Sequence, residues 1–97
     1  MYNMSKGRIL YFSGPNCSVC RDLKPKLNEV ANTEFPDFDW IEIDCALQPD
    51  VASQHSVFTV PVVEIEIEGK TYLRFVRQIS ILDFTEKTRR LYDMLTE

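Results

Sequence analysis

The sequence predicts an α/β domain built on a four-stranded mixed sheet with three helices, in the order βαβαββα. Three observations lead to this prediction. In the first half of the chain, apolar runs of strand length alternate with amphipathic helical stretches, as in units of parallel strands. Two strands with alternating apolar residues then follow, separated by a short turn, and this pattern is typical of an antiparallel hairpin. A last amphipathic stretch predicts the closing helix.

The composition is that of one folded domain, which we expect to span residues 1–97. The chain has 97 residues, of which 44% are hydrophobic, and it contains no repeat, linker or low-complexity tract. Its net charge of −4 argues against a nucleic-acid partner, which would need a basic face. We see neither a signal peptide nor an apolar run long enough to cross a membrane. We therefore expect a cytoplasmic monomer with no membrane partner.

The first half of the chain predicts a strand, a helix and a second strand. Residues 8–12 form a short apolar run that a Ser-Gly-Pro sequence closes, as expected of a buried strand. From residue 18 to about residue 32, apolar residues recur at helical spacing, with Pro25 inside the pattern. Residues 38–44 alternate in polarity and predict the second strand.

The second half predicts a short helix, a hairpin and a long helix. Residues 47–56 are polar and compatible with a short helix that starts near residue 48 or 49. Residues 60–67 and 71–77 alternate cleanly and predict two antiparallel strands. The last helix begins at Ser80, which can form a capping box with Asp83 three residues later.

The sequence also predicts which residues of the two hairpin strands lie opposite each other. Opposed residues of two paired strands share a face of the sheet, so apolar residues must oppose apolar residues. A three-residue loop at 68–70 then predicts three pairs: Ile65 with Leu73, Val63 with Phe75, and Glu64 with Arg74. The short helix alone would cover one face of the sheet. We expect a polar group on that face, either simply solvated or forming a partner surface: Glu42, Glu64, Glu66 and Arg74.

Two cysteines three positions apart, Cys17 and Cys20, lie between the first strand and the first helix. At a helix N-terminus, the unpaired N–H groups and the helix dipole favour a thiolate over a thiol. The spacing places the second cysteine one turn further on, where a disulfide can close. We therefore interpret Cys17 as a nucleophile that attacks a substrate disulfide, and Cys20 as the thiol that resolves the mixed disulfide.

Metal binding is the main rival interpretation of the cysteine pair. A structural zinc site could combine four side chains: Cys17, Cys20, Cys45 and His55. Taken alone, Cys45 is expected to be a small buried hydrophobe, with a regulatory thiol as the alternative. His55 is expected at the surface or at a helix cap. Three cysteines are an odd number, which does not suggest a secreted disulfide framework.

Four features of the chain resemble the thioredoxin superfamily: the Cys17-Ser18-Val19-Cys20 motif after a strand, Pro25 five residues later, Ile43-Asp44 at the end of the next strand, and the Thr59-Val60-Pro61 step. The resemblance covers roughly residues 8–95 and implies a minimal thioredoxin-like fold. It further implies that the bond before Pro61 is cis and faces the active site. The backbone of Val60, with Thr59 beside it, would then bind substrate.

The chain departs from the family pattern at several positions. The dipeptide between the cysteines is neither the Gly-Pro of thioredoxins nor the Pro-Tyr of many glutaredoxins. Tyr11 and Trp40 stand where thioredoxins carry a buried Asp and its Lys partner, which assist proton transfer at the resolving cysteine. We expect that role to pass to Tyr11, Asp22 or water, or turnover to be impaired. Asn16 replaces the usual Trp, and residues 77–80 lack the Gly-Gly with which glutaredoxins hold glutathione.

The resemblance implies a thiol–disulfide oxidoreductase that reduces protein disulfides and contributes to electron transport and cell redox homeostasis. Its partners would be disulfide-containing proteins and an electron donor, either a thioredoxin reductase or the glutathione system. We expect no cofactor. Two alternatives stay open. One is a glutaredoxin-like, glutathione-dependent reductase, and the other is a non-catalytic interaction module with the same fold.

Overall fold

The structure is a computed structural model that describes residues 6–96. Residues 1–5 and 97 of the predicted domain lie outside the described residues. The elements follow one another in the predicted order: β1 (Gly7–Ser13), α1 (Ser18–Glu34), β2 (Phe38–Asp44), α2 (Pro49–Gln54), β3 (Val62–Ile67), β4 (Lys70–Val76) and α3 (Ile81–Thr96).

The four strands form one mixed sheet in the spatial order β2-β1-β3-β4. β1 lies parallel to β2 and antiparallel to β3, and β3 is antiparallel to β4. The predicted fold class, a four-stranded mixed sheet with three helices, is therefore confirmed. The parallel pair is connected by α1, as the long crossover between parallel strands requires.

The ends of the elements agree closely with the predicted ones. α1 contains Pro25 and ends at Glu34, two residues beyond the predicted end. α3 begins after Ser80, whose hydroxyl accepts a hydrogen bond from the backbone N–H of Asp83 at 3.1 Å, as in the predicted cap. β3 begins at Val62 instead of residue 60, because the proline before it has no N–H with which to join the ladder.

The hairpin has the predicted pairs but a shorter loop. Ile65 opposes Leu73, Val63 opposes Phe75, and Glu64 opposes Arg74. The predicted three-residue loop is wrong, because Ile67 pairs with Lys70 and only Glu68 and Gly69 connect the strands. Both residues have positive φ, 52° and 81°, as in the tight turns that suit a two-residue hairpin loop. A bulge that leaves Tyr72 unpaired restores the register beyond the turn.

Two apolar clusters lie on opposite faces of the sheet. The larger one packs α1 and α3 against the sheet and includes Leu27, Phe35, Phe84 and Tyr92. The smaller one packs α2 against the other face and includes Ile43, Ala52, Val57 and Val62. β1 contributes to both clusters, because its alternate side chains point to opposite faces. Within the described part of the chain, no helix is long and apolar enough to cross a membrane.

Two of the four polar residues expected on the α2 face, Glu64 and Glu66, are buried, so they are neither simply solvated nor part of an exposed partner surface. Glu64 is only 2% exposed. Its carboxylate accepts hydrogen bonds from Arg74 at 2.6 Å and Thr71 at 3.3 Å, and lies 2.8 Å from Nδ1 of His55. Glu66 is also buried, and it pairs with Arg8. A buried carboxylate requires such partners, and they come from the residue that caps the C-terminus of α2 and from neighbouring strands.

Glu42 lies on the opposite face from the one predicted. Its side chain accepts a hydrogen bond from Trp40 Nε1 at 3.0 Å and pairs with Lys24 of α1 at 2.9 Å. Residues 40 and 42 share a face because side chains alternate along a strand, and Trp40 packs against the cluster beneath α1 and α3. The expected group of four therefore does not form a single surface.

Arg74 fastens the end of α2 to the sheet. Besides Glu64, its guanidinium donates to the carbonyl oxygens of His55 and Ser56, each at 2.8 Å.

We expect Arg74→Met to lower the free energy of unfolding by about 2 kcal/mol, because it leaves the Glu64 carboxylate partly unpaired. Urea unfolding measures the change. Lys70→Met removes an exposed cation from the other end of β4 and is the matched control. An equal effect of the two substitutions would contradict this role of Arg74.

Candidate active site

The chain turns sharply from β1 into α1, and the turn places Cys17 at the N-cap of the helix. Asn16, just before it, has a φ of 58°, in the left-handed region that asparagine tolerates better than most residues. Cys17 itself is extended, with φ −110° and ψ 96°. Its Sγ atom accepts a hydrogen bond from the backbone N–H of Cys20 at 3.2 Å. The sulfur therefore occupies the position of an N-cap acceptor.

Cys17 and Cys20 are joined by a disulfide bond, with their Cα atoms 5.3 Å apart. The two residues differ in exposure. Cys20 is 4% exposed and packs inside the domain, whereas Cys17 is only partly buried. Such a difference in exposure suits a pair in which the Cys17 sulfur can contact a substrate while the Cys20 sulfur is shielded inside the domain.

Cys17 lines a concavity of about 370 Å³ together with the Thr59-Val60-Pro61 step. The Val60–Pro61 peptide bond is cis. Pro61 is buried, while Thr59 is exposed at the rim. The structure thus brings four of the five predicted site residues to one surface, and Cys20 lies beneath them.

Arg77 and Gln78 line the same concavity and were not predicted as site residues. The backbone N–H of Arg77 donates to the carbonyl oxygen of Pro61 at 2.7 Å, just beyond the last ladder pair, Val62 with Val76. The predicted hairpin register already opposed Arg77 to Pro61 within strands 60–67 and 71–77, and this was the signal that could have placed Arg77 at the site.

Tyr11 lies behind the buried cysteine. Its hydroxyl donates to the carbonyl oxygen of Cys20 at 2.7 Å, and its ring stacks on Trp40 with the ring centres 5.5 Å apart. Burial, with the nearby negative charge of Glu42, raises the pKa of Tyr11 to about 12. The phenol therefore stays protonated at neutral pH and acts there as a hydrogen-bond donor.

Glu42 is the carboxylate next to this aromatic pair. Burial opposes its ionisation, but the hydrogen bonds from Trp40 and Lys24 and the charge of Lys24 outweigh burial and lower the pKa of Glu42. Glu42 is therefore ionised at neutral pH. The chain thus has a Lys24–Glu42 ion pair beside Trp40, whereas Tyr11 and Trp40 themselves occupy the positions of the family's Asp–Lys pair.

The structure does not assemble the alternative zinc site. Among residues 6–96, no group of three or more His, Cys, Asp or Glu side chains could hold a metal ion. His55 contacts Glu64, and its ring packs against Phe12 with the ring centres 5.3 Å apart. Cys45 is a free, half-buried thiol whose pKa is raised by burial and by the charge of Asp44.

A cysteine pair at a helix N-terminus, with one sulfur facing a concavity and the other buried, is the site expected of a thiol–disulfide oxidoreductase. That is the class of protein that the fold and the site support. The sequence profile of the family described as Thioredoxin matches residues 2–87. The chain therefore belongs to the thioredoxin family.

Individual relatives agree with this assignment. The chain is 34% identical over 87 residues to the thioredoxin-like protein YdfQ of Bacillus subtilis, covering 90% of this chain and 77% of that protein. The structure of thioredoxin 1 from Thermosipho africanus superimposes with a TM-score of 0.83 and 32% identity, covering 93% of this chain and 99% of that one. The NADPH-dependent thioredoxin reductase 3 of Arabidopsis thaliana is 27% identical over 73 residues, which are 75% of this chain but 14% of that protein.

The Tyr11 hydroxyl gives a direct stability test. We expect Tyr11→Phe to lower the free energy of unfolding by about 1 kcal/mol, because it removes a buried hydrogen bond. Tyr72→Phe makes the same chemical change on a side chain that is 55% exposed, and should have almost no effect. Chemical denaturation of both variants at neutral pH measures the difference, and equal losses would contradict the role of the hydrogen bond.

The same residue predicts a dependence on alkaline pH. Because the folded pKa of Tyr11 is raised, its contribution to stability is present below its ordinary pKa of about 10. That contribution is lost as the pH rises from about 10 through the folded value of about 12. Tyr11→Phe should therefore lose less stability than the wild type across this interval, as denaturant midpoints at successive pH values would show. Parallel curves for the two proteins would contradict the prediction.

Proposed function

We propose that this protein reduces disulfide bonds in other proteins, using Cys17 and Cys20 as a dithiol/disulfide couple. One observation carries the proposal. The partly buried Cys17 sulfur lies at a helix N-cap and opens onto a concavity formed with Val60 and Pro61, while Cys20 is buried behind it. Membership of the thioredoxin family supports the same activity in general terms.

Cys17 is the proposed nucleophile. In the reduced protein, the N–H of Cys20 and the other free N–H groups of the first helical turn would stabilise negative charge on its sulfur. The helix has no acidic residue in its first turn to oppose this effect. Arg21, whose N–H donates to the Cys17 carbonyl oxygen at 3.2 Å, adds a positive charge one turn into the helix.

The reaction proceeds by two exchange steps. The Cys17 thiolate attacks one sulfur of a substrate disulfide, the substrate S–S bond breaks, and its other sulfur leaves as a thiolate. The Cys20 sulfur, after losing its proton, then attacks the Cys17 sulfur and releases the second substrate sulfur. The substrate gains two electrons and two protons overall, and Cys17 and Cys20 become the disulfide.

Thr59, Val60 and Pro61 are the proposed substrate-binding residues. The ladder pairs of β3 with β1 and with β4 begin at Val62, so the backbone of Val60 takes no part in them. We propose that this backbone hydrogen-bonds to an extended substrate segment, in the manner of an added strand. The exposed Thr59 lies at the rim beside it.

The cycle needs an electron donor that returns two electrons to the disulfide. We propose a flavoprotein thioredoxin reductase that uses NADPH, and the similarity to part of the Arabidopsis NADPH-dependent thioredoxin reductase 3 supports this choice over glutathione. The missing Gly-Gly at residues 77–80 also speaks against a glutathione site. We further propose that the protein acts in the cytoplasm, since its odd number of cysteines does not suggest a secreted disulfide framework. A monomeric state remains the expectation.

The proposal is tested with three cysteine variants and a protein disulfide substrate. In Cys20→Ser, the mixed disulfide at Cys17 should accumulate, because the thiol that resolves it is gone, and mass spectrometry should find the substrate bound at Cys17. In Cys17→Ser, reduction should fall to the uncatalysed background. Cys45→Ser should behave like the wild type and is the control.

Two results would count against the proposal. Substrate reduction by Cys17→Ser at the wild-type rate would show that another group does the chemistry. Absence of both reduction and trapping in otherwise folded protein would favour the second candidate function, a non-catalytic interaction module. The replacement of the family's buried Asp–Lys pair by Tyr11 and Trp40 is the observation that suggests this second candidate.

A further inference from the structure

We propose that Arg77 makes the active site selective for protein disulfides that have carboxylate side chains next to the reacting cysteine. The inference rests on the proposed function and deepens it, because it names the class of substrate. Three features carry it: the position of Arg77 beside Cys17 and Pro61, the charge of the concavity, and the exposed apolar side chains around it.

The backbone of Arg77 is held next to the cis-proline. Its N–H donates to the Pro61 carbonyl oxygen at 2.7 Å, and its φ of 65° turns the chain out of β4. A residue with a β-carbon rarely adopts this conformation, so the turn occurs at a position where glycine would be favoured. The chain nevertheless has an arginine there, and that arginine lines the same concavity as Cys17.

Arg77 gives the concavity a positive charge in a protein whose net charge is −4. Of the nine described residues that line the concavity, Arg77 alone is charged, and none has a carboxylate. Three of the six arginines pair with a carboxylate of the chain: Arg8, Arg74 and Arg89. Neither of the other two arginines that are unpaired within the described part of the chain, Arg21 and Arg90, lines the concavity. Arg77 makes no such pair within residues 6–96, so its guanidinium is available to a carboxylate of a bound substrate.

The surroundings favour a peptide segment over a small disulfide. Val19, between the two cysteines, is 52% exposed, and Phe58, just before Thr59, is 85% exposed. Phe58 does not line the concavity, so a ligand that contacts both Phe58 and Cys17 must extend beyond it. An extended segment with an acidic residue near its cysteine and an apolar residue further along fits both features.

The test uses two disulfide-linked peptides that differ only in the residues flanking the cysteine, Glu in one and Lys in the other. The second-order rate constant for their reduction by the pre-reduced protein is measured at low salt. We expect the wild type to reduce the acidic peptide about two- to fivefold faster, the size of effect that one exposed charge pair produces. The preference should shrink at high salt, because ions screen the interaction.

Variants assign the preference to one side chain. Arg77→Gln should abolish it and Arg77→Glu should reverse it, and both retain the β-carbon and hence the same backbone requirement. Lys70→Gln removes an equal charge at the opposite end of β4 and should keep the wild-type preference. Thermal unfolding followed by circular dichroism confirms that each variant is folded, and reduction of an uncharged peptide disulfide confirms that its cysteine pair is active.

The outcomes separate this inference from the proposed function. If folded wild-type protein reduces neither peptide, the proposed function fails and the inference fails with it. If it reduces both peptides but Arg77→Gln leaves the preference unchanged, only the role of Arg77 is overturned. A charge effect of Arg77 seen with glutathione disulfide but not with the acidic peptide would overturn the assignment to protein substrates.

Discussion

The burial of β1 on both of its faces is the constraint on which the rest of the structure depends. Four successive side chains, Ile9 to Phe12, are at most 1% exposed, and they alternate between the two apolar clusters. Burying a side chain of this size contributes about 1.5–3 kcal/mol relative to leaving it exposed. This strand lies in the middle of the sheet, between β2 and β3, with helices on both of its faces.

The location of the active site follows from that placement. β1 ends at Ser13, and α1 begins just after it, so Cys17 lies at the C-terminal end of β1. β3 runs antiparallel to β1, so its beginning lies beside the end of β1, and Phe12 opposes Val62. Pro61, just before β3, therefore lies at the same end of the sheet. β4 is antiparallel to β3, so Arg77, just after β4, lies there too.

Local patterns predicted the elements, the hairpin pairs and the cysteine pair, because each depends on residues close in sequence. The predictions failed where distant residues decide the outcome. The pairing of Glu64 with Arg74 was predicted, but the burial of Glu64 was not, because it also depends on His55, which reaches the carboxylate from the end of α2. The bulge at Tyr72 was missed for a different, local reason. A two-residue loop with a bulge gives the same pairs, Ile65 with Leu73 and Val63 with Phe75, as the predicted three-residue loop without one. Arg77 was not predicted as a site residue, although the predicted strands and register already oppose it to Pro61, because no local pattern marks an arginine at a strand end as part of a site.

A redox titration tests most directly whether Cys17 and Cys20 form a reducing couple. The protein is equilibrated in buffers of decreasing redox potential, its thiols are trapped, and mass spectrometry locates the disulfide, with zinc assayed on the same sample. We predict one two-electron transition between Cys17 and Cys20, nearer to the reducing value of about −270 mV than to the oxidising value of about −120 mV. Cys45 should remain a free thiol throughout. Stoichiometric zinc, or a Cys17–Cys20 pair that no buffer oxidises, would contradict the account.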